Sequence, residues 1–218
     1  MGHKVEPGEG RRERKKRETR HRISDIATAM FVERGFDRVT IAEIAEEADV
    51  SVNTVYNYFP SKEDLFFDRA EEMIDRPSRV VRERAPGVSA ARALLDHYRA
   101  EYSDRDHPAL RAGYQPFMRC VRETPSLMAR VFVMQQRAFA RLADTLREEV
   151  GAEPDDPMPD LVAHQLVQVS NMLFRQVMVG AVGGRQVDWV PTYALRTLDL
   201  FERLVSDELL NYATRKAE

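Results

Sequence analysis

Between Gly35 and Ser61 the chain sets helix-stop and helix-start signals so close together that only very short helices fit between them. Upstream, Ile23, Ile26, Ala27, Met30 and Phe31 recur at helical spacing within Glu18 to Arg34, and Gly35 supplies the stop. Thr40 and Glu43 then form a capping box, with Val39 placed to staple against Ile44. A second helix should therefore start at Thr40 or Ile41 and bury Ile41, Ile44, Ala45 and Ala48. Asp49 and Val50 make a short connection, and Ser51 is a favoured N-cap for a third helix. Pro60 ends that helix, since proline disfavours the helical conformation in the residue before it. Ser61 with Asp64 opens a fourth helix through Leu65, Phe66 and Met73. Three short helices with a tight turn between the second and third form a helix-turn-helix, and small side chains at Ala42, Ala45 and Ala48 allow the close approach it needs.

The third helix, within SVNTVYNYF, carries an unusual polar face. Val55 and Phe59 fall together on a helical wheel and should face the first two helices. Asn53, Thr54, Asn57 and Tyr58 fall opposite, with Val52 and Tyr56 at the boundaries. An Asn side chain matches the donor and acceptor pair on an adenine edge in the major groove, and Thr and Tyr hydroxyls suit phosphate oxygens. A merely solvated face would more often carry Lys and Glu than exposed aromatic rings.

Charge points the same way. Eight basic residues lie between Arg11 and Arg22, giving a local charge of +6 in a chain of net charge −3. The acidic remainder would repel nucleic acid everywhere except where this arm leads. Taken alone, such a run reads equally as a solvated tail. With 218 residues, 43% hydrophobic and 32% charged, the chain is expected to be globular. No apolar run approaches the roughly 18 residues of a membrane span, so no membrane partner is expected. The first residues lack a secretory apolar core, and Cys120 is the single cysteine, so a cytoplasmic location is expected.

Beyond the fourth helix, Asp75 to Ala90 contains Pro77, Pro86 and Gly87 among arginines and reads as a hinge between domains. Every strong pattern after it is helical. Ala91, Leu94, Leu95, Tyr98 and Tyr102 form one stripe, and Leu110, Tyr114, Phe117, Met118 and Val121 another. Pro125 and Ser126 open a long helix expected to turn Val131, Phe132, Phe139, Leu142 and Leu146 inward. A second long helix should run from Asp160 to about Val182, where Gly183 and Gly184 break it, and Pro191 opens the last one. The expected fold is all-α with about nine helices. Its expected parts are a disordered basic arm (1–18), a helix-turn-helix domain (19–74) and a helical regulatory and dimerisation domain (75–218).

The stretch VTIAEIAEEADVSVNTVYNYFPSKEDLF resembles the DNA-binding domain of the tetracycline-repressor (TetR) family of bacterial transcriptional regulators. The framing Thr, the IAEEA core, the VS turn, TVYNYF and the Lys that follows carry the likeness, which covers roughly Thr19 to Met73. The resemblance implies that Thr40, Thr54, Tyr56, Tyr58 and Lys62 hold phosphates. It implies that the start of the third helix, Val52 and Asn53, together with Asn57 and Ala42, faces bases, with the capping Ser51 also among the DNA-binding residues. Arg12 and Lys15, in the cluster from Arg11 to Arg17, would reach a phosphate or the adjacent minor groove. Ala42, Val52 and Asn53 depart from residues common in the family, so no operator sequence transfers.

One helix-turn-helix makes few contacts, so a dimer reading two half-sites of double-stranded operator DNA is expected. The resemblance implies a homodimer through the last two long helices, with Leu166, Leu173, Val177, Leu198, Phe201 and Val205 at the seam. It also implies release by a small-molecule effector. His164, Gln168, Asn171 and Arg175 lie on one band of the penultimate long helix, facing solvent, the dimer seam or a ligand cavity; all three readings stand. Gln135, on the preceding long helix, with Tyr98, Tyr102, Tyr114, Phe117 and Met118, completes the candidate ligand set, although such residues also build plain cores. A constitutive DNA-binding protein without an effector is the alternative. No metal, cofactor or enzymatic activity is expected, because the five His are scattered and GAVGG follows no strand.

Overall fold

The computed structural model describes residues 10–104, 114–182 and 189–216. They form eleven α-helices and one 3-10 turn, with no strand among them. The two helices beyond the expected nine arise where Phe67 separates the fourth from the fifth and where Ser206 caps a short last one. The chain divides into two compact units after Asp68.

The first unit starts with α1, Arg11–Arg34. Arg11 to Glu18, expected as a disordered arm, are its first turns; residues 1–9 lie outside the described residues. The correction has a simple cause: Arg, Glu and Lys are good helix formers, nothing between Gly10 and Gly35 breaks the helix, and Arg14 pairs with Glu18 one turn on, at 3.7 Å. Gly35 ends α1 at φ 89°, a conformation L side chains rarely adopt. The 3-10 turn Phe36–Arg38 leads to α2 (Ile41–Glu47), α3 (Val52–Tyr58) and α4 (Lys62–Phe66). Ile23, Ala27, Phe31, Ile44, Val55, Phe59 and Leu65 are fully buried, and the rings of Phe31, Phe36 and Phe66 pack within 6 Å of one another.

The second unit holds α5 (Ala70–Glu83), α6 (Ala90–Ser103), α7 (Tyr114–Glu123), α8 (Pro125–Val150), α9 (Met158–Val182), α10 (Trp189–Leu204) and α11 (Asp207–Asn211). The hinge expected from residue 75 is instead the second half of α5, with Pro77 inside the helix. Ala70, Ile74, Pro77, Ser78 and Val81 are buried at helical spacing, so tertiary burial along one face overrides the local preference of proline. α5 packs along α8, α8 along α9, and α6 against α10 and α11. Leu94, Leu95, Tyr98, Leu142, Leu146, Leu166, Leu173 and Leu198 share the central core.

The bend between α5 and α6 is tied to the C-terminal segment. Arg84 is buried and donates to the carbonyls of Val81, Val88 and Ala213 and to the Glu149 carboxylate. Arg215 returns the tie by donating to the carbonyls of Arg82 and Arg84. Gly183 and Gly184, expected to break α9, and Leu110 lie outside the described residues.

Candidate nucleic-acid interface and ligand groove

Capping chemistry sets where the helix-turn-helix begins and ends. The Thr40 hydroxyl accepts from the Glu43 amide, and the Glu43 carboxylate accepts from the Thr40 amide and hydroxyl. Arg34 also donates to Glu43. That hydrogen bond, followed by those from Thr40, holds the Glu43 carboxyl down at about 2. The turn after α2 carries a signal not read from the sequence: Asp49 adopts φ 50° while the Val50 amide reaches back to the Ala45 carbonyl at 2.9 Å. This is a Schellman closure with Asp where Gly is usual. Ser51 caps α3 through the Thr54 amide at 3.0 Å, and Ser61 caps α4 through that of Asp64.

Two arginines of α1 finish the frame. Arg22 donates to the Ala48 carbonyl at the end of α2. Arg20 donates to the Tyr58 carbonyl at the end of α3 and to Asp68, and its guanidinium lies 4.4 Å from the centre of the Phe59 ring. Asp68 also takes His21 at 3.1 Å. These contacts satisfy carbonyls that a short helix leaves unpaired at its C-terminus. Two members of the basic run thus hold the motif together, whereas Arg12 and Lys15 are exposed on the first turns of α1.

With Val55 and Phe59 buried, α3 exposes Val52, Asn53, Tyr56 and Asn57 side by side. Tyr56, expected at the boundary of that face, is 52% exposed, while Thr54 and Tyr58 are half-buried. Thr40, Ala42 and Ser51 are exposed beside them in sequence. Lys62 is half-buried, with Nζ 4.4 Å from the centre of the Phe36 ring and 5.5 Å from that of Phe31. Its ammonium therefore rests on aromatic faces at the start of α4.

In the second unit the candidate ligand residues separate into two groups. Tyr98 and Met118 are core residues, and Tyr102 and Tyr114 pack against Val177 and Val190, with Phe117 stacked on Tyr114. Burial pushes the Tyr102 phenol well above its ordinary range and that of Tyr114 up to about 12. None of these five lines the groove between α8 and α9, a concavity of about 500 Å³. Gln135, Gln168, Asn171 and Arg175 do line it, together with Met128, Phe132, Met172 and Met178. Phe132, expected to point inward, is 61% exposed at this groove, whose other wall is the polar band of α9. His164 belongs elsewhere and sits edge-on to Phe139 with ring centres 5.8 Å apart.

The residues expected at a dimer seam divide by burial within the chain. Leu166, Leu173, Val177 and Leu198 are buried within this single chain, and Phe201 and Val205 are half-buried against the same core. The denser apolar stripes of α9 and α10 serve the chain's own interior. Leu161, Val179, Leu200 and Leu204 are the large apolar side chains these helices leave exposed outside the groove. Among the described residues, no helix is long and apolar enough to cross a membrane.

The family model described as "Bacterial regulatory proteins, tetR family" matches residues 23–68, which span the second half of α1 and all of α2 to α4. The transcriptional regulator TcmR of Streptomyces glaucescens is 27% identical over 153 residues, covering 68% of each chain. The transcriptional repressor KstR of Mycolicibacterium smegmatis is 40% identical over 67 residues, 28% of this chain and 33% of that one. In fold, the SmeT–triclosan complex aligns with a TM-score of 0.55 at 17% identity, covering 92% of this chain and 98% of that one. Residues 23–68 carry the domain of the tetR family of bacterial regulatory proteins.

Proposed function

We propose that this regulator is a repressor that binds palindromic operator DNA as a homodimer and is released by a small-molecule effector held in its second unit. The observation that carries the reading is the exposed row Val52, Asn53, Tyr56 and Asn57, set on a helix whose ends are fixed by Ser51 and Arg20. In this reading residues 10–68 bind DNA, with Asn53, Asn57, Val52 and Ala42 towards bases. Thr40, Thr54, Tyr56, Tyr58 and Lys62 hold phosphates, and Arg12 and Lys15 approach the flanking backbone. Lys62 has to swing its ammonium off the Phe36 ring to do so, which its long stem permits.

Dimerisation uses α9 and α10 through Leu161, Val179, Leu200 and Leu204, of which Leu204 is 84% exposed. Apolar side chains exposed on adjacent helices support a partner of the same kind. Effector control is supported by the groove in the second unit and by the relative KstR, named a repressor, and SmeT, solved with triclosan. The test is reciprocal linkage. Any compound that releases the protein from an operator must itself bind less tightly, by the same factor, to operator-saturated protein. A compound whose affinity does not change when operator is bound contradicts the scheme.

A further inference from the structure

We infer that the core of each operator half-site, under the N-terminal half of α3, is built of A·T pairs, with adenine edges against Asn53 and Asn57 and a thymine methyl group against Val52. The inference rests on the DNA-reading role proposed for α3 and names the class of sequence that this helix selects. Its first support is the chemistry of the exposed row. Val52 is 40% exposed, and Ala42, Asn53 and Asn57 are exposed with it. The Asn53 and Asn57 amides make no hydrogen bond to another side chain or carbonyl among the described residues, so each keeps a donor and an acceptor for a base edge. An Asn amide matches the N6 donor and N7 acceptor of adenine, and an aliphatic side chain covers the thymine methyl group. None of these residues is the Arg or Lys that guanine takes in the major groove, or the carboxylate that takes the cytosine amino group.

The second support is the fate of the nearby cations. Arg20 donates to the Tyr58 carbonyl and to Asp68, Arg22 to the Ala48 carbonyl, and Arg34 to Glu43. Lys62 rests over the Phe36 and Phe31 rings. Arg38 is exposed, but it ends the 3-10 turn two residues before Thr40, beside the end of α2 that is given to phosphate. Positive charge near α3 is thus held in the frame or set beside the backbone contacts, and the base-facing row is left uncharged.

The third support is register. The Ser51 hydroxyl accepts from the Thr54 amide at 3.0 Å and pairs with the Thr54 hydroxyl at 2.8 Å, so it is committed to the cap. Val52 and Asn53 are therefore the first side chains of the helix available to a base. Asn57 follows Asn53 by one turn on the same face, about 5–6 Å away between Cβ atoms. With base pairs about 3.4 Å apart, the two adenines are expected within two steps of each other.

The experiment uses the full-length protein and an operator duplex obtained by selection from a random library, into which single altered bases are placed. 7-Deazaadenine, which lacks the N7 acceptor, is put at the position where Asn53→Ala relaxes preference. It is expected to weaken wild type by about tenfold and to leave Asn53→Ala unchanged. Uracil in place of one thymine removes only a methyl group and should weaken wild type by about fourfold, and Val52→Ala by less. Arg38→Gln should weaken all sequences alike and keep the base preference. Guanine or cytosine selected where Asn53→Ala or Asn57→Ala relaxes preference overturns the A·T core and leaves sequence reading by α3 intact. So does a guanine preference that Arg38→Gln removes. Tolerance of uracil at every thymine overturns the contact assigned to Val52. Failure to enrich any sequence, or changes at Asn53 and Asn57 that relax nothing, overturns the inference together with the reading of α3 on which it rests.

Discussion

The guanidinium of Arg20 on α1 donates to the backbone carbonyl of Tyr58, the last residue of α3, at 2.8 Å. The helix proposed to read DNA is thus fastened at its C-terminus by a residue of the basic run, while Ser51 fastens its other end. Positive charge at Arg20 thus serves the fold, and phosphate contact is expected from other residues of the run. Arg20→Gln is expected to lower thermal stability and operator affinity while leaving the salt slope unchanged, because no counterion-releasing contact is lost. Lys15→Ala should instead reduce the slope by about one, with stability unaffected. Operator titrations across a salt series, paired with melting curves, distinguish the two; a reduced slope for Arg20→Gln places that residue on phosphate.

Arg84 joins three backbone carbonyls and Glu149 from a position almost fully shielded from water. Arg84→Ala removes the donor these acceptors share and leaves the Glu149 carboxylate without its ion-pair partner, and it should destabilise the protein by about 3 kcal/mol, the lower end for breaking a buried ion pair. Denaturant unfolding followed by far-ultraviolet circular dichroism measures this, and a change below 1 kcal/mol contradicts the clamp.

Gly180 in α9 has the Trp189 ring so close that a Cβ built on it would lie 2.1 Å from the indole carbon Cζ2. Gly→Ala in a helix ordinarily stabilises by about 0.5–1 kcal/mol. Here the sign should reverse, and because Trp189 is the single tryptophan its emission should change with Gly180→Ala. A stabilised variant with unaltered emission contradicts the contact.

Hydrogen bonds from Arg34 and Thr40 hold Glu43 at about 2, below its ordinary 4.5. Folding therefore gains from its ionised form above pH 4.5, and the gain is lost as pH falls towards 2. Wild type should melt above Glu43→Gln at pH 6, and the gap should close by pH 2. A gap independent of pH assigns the cap to shape rather than charge.

How much of this was legible in sequence follows from how local each signal is. The Thr40–Glu43 box, the Ser51 and Ser61 caps and the stop at Gly35 are written within four residues of their effect, and each forms as read. Asp49 escaped because a left-handed cap is usually marked by glycine. The arginine at 20 looked like its neighbours because its partners, Tyr58 and Asp68, lie 38 and 48 residues away. Pro77 misled in the opposite direction: a strong local signal lost to burial along α5. On α9 the apolar pattern was visible but not its division, since which stripe meets α6 and α8 depends on packing the periodicity does not encode. Gln135 and the band Gln168, Asn171 and Arg175 could be picked out by their polarity on apolar helices, yet only the packing of α8 on α9 brings them into one groove.

The most direct measurement is selection of bound sequences from a random DNA library by the full-length protein and by Asn53→Ala. Wild type is expected to enrich a palindrome whose half-sites lie about one helical turn, roughly 34 Å, or a multiple of it apart. Asn53→Ala should enrich the same palindrome with preference relaxed at one position per half-site, a loss of about 1–3 kcal/mol there. An asymmetric site, or an Asn53→Ala selection indistinguishable from wild type, contradicts the account of a dimer reading DNA through the N-terminal half of α3.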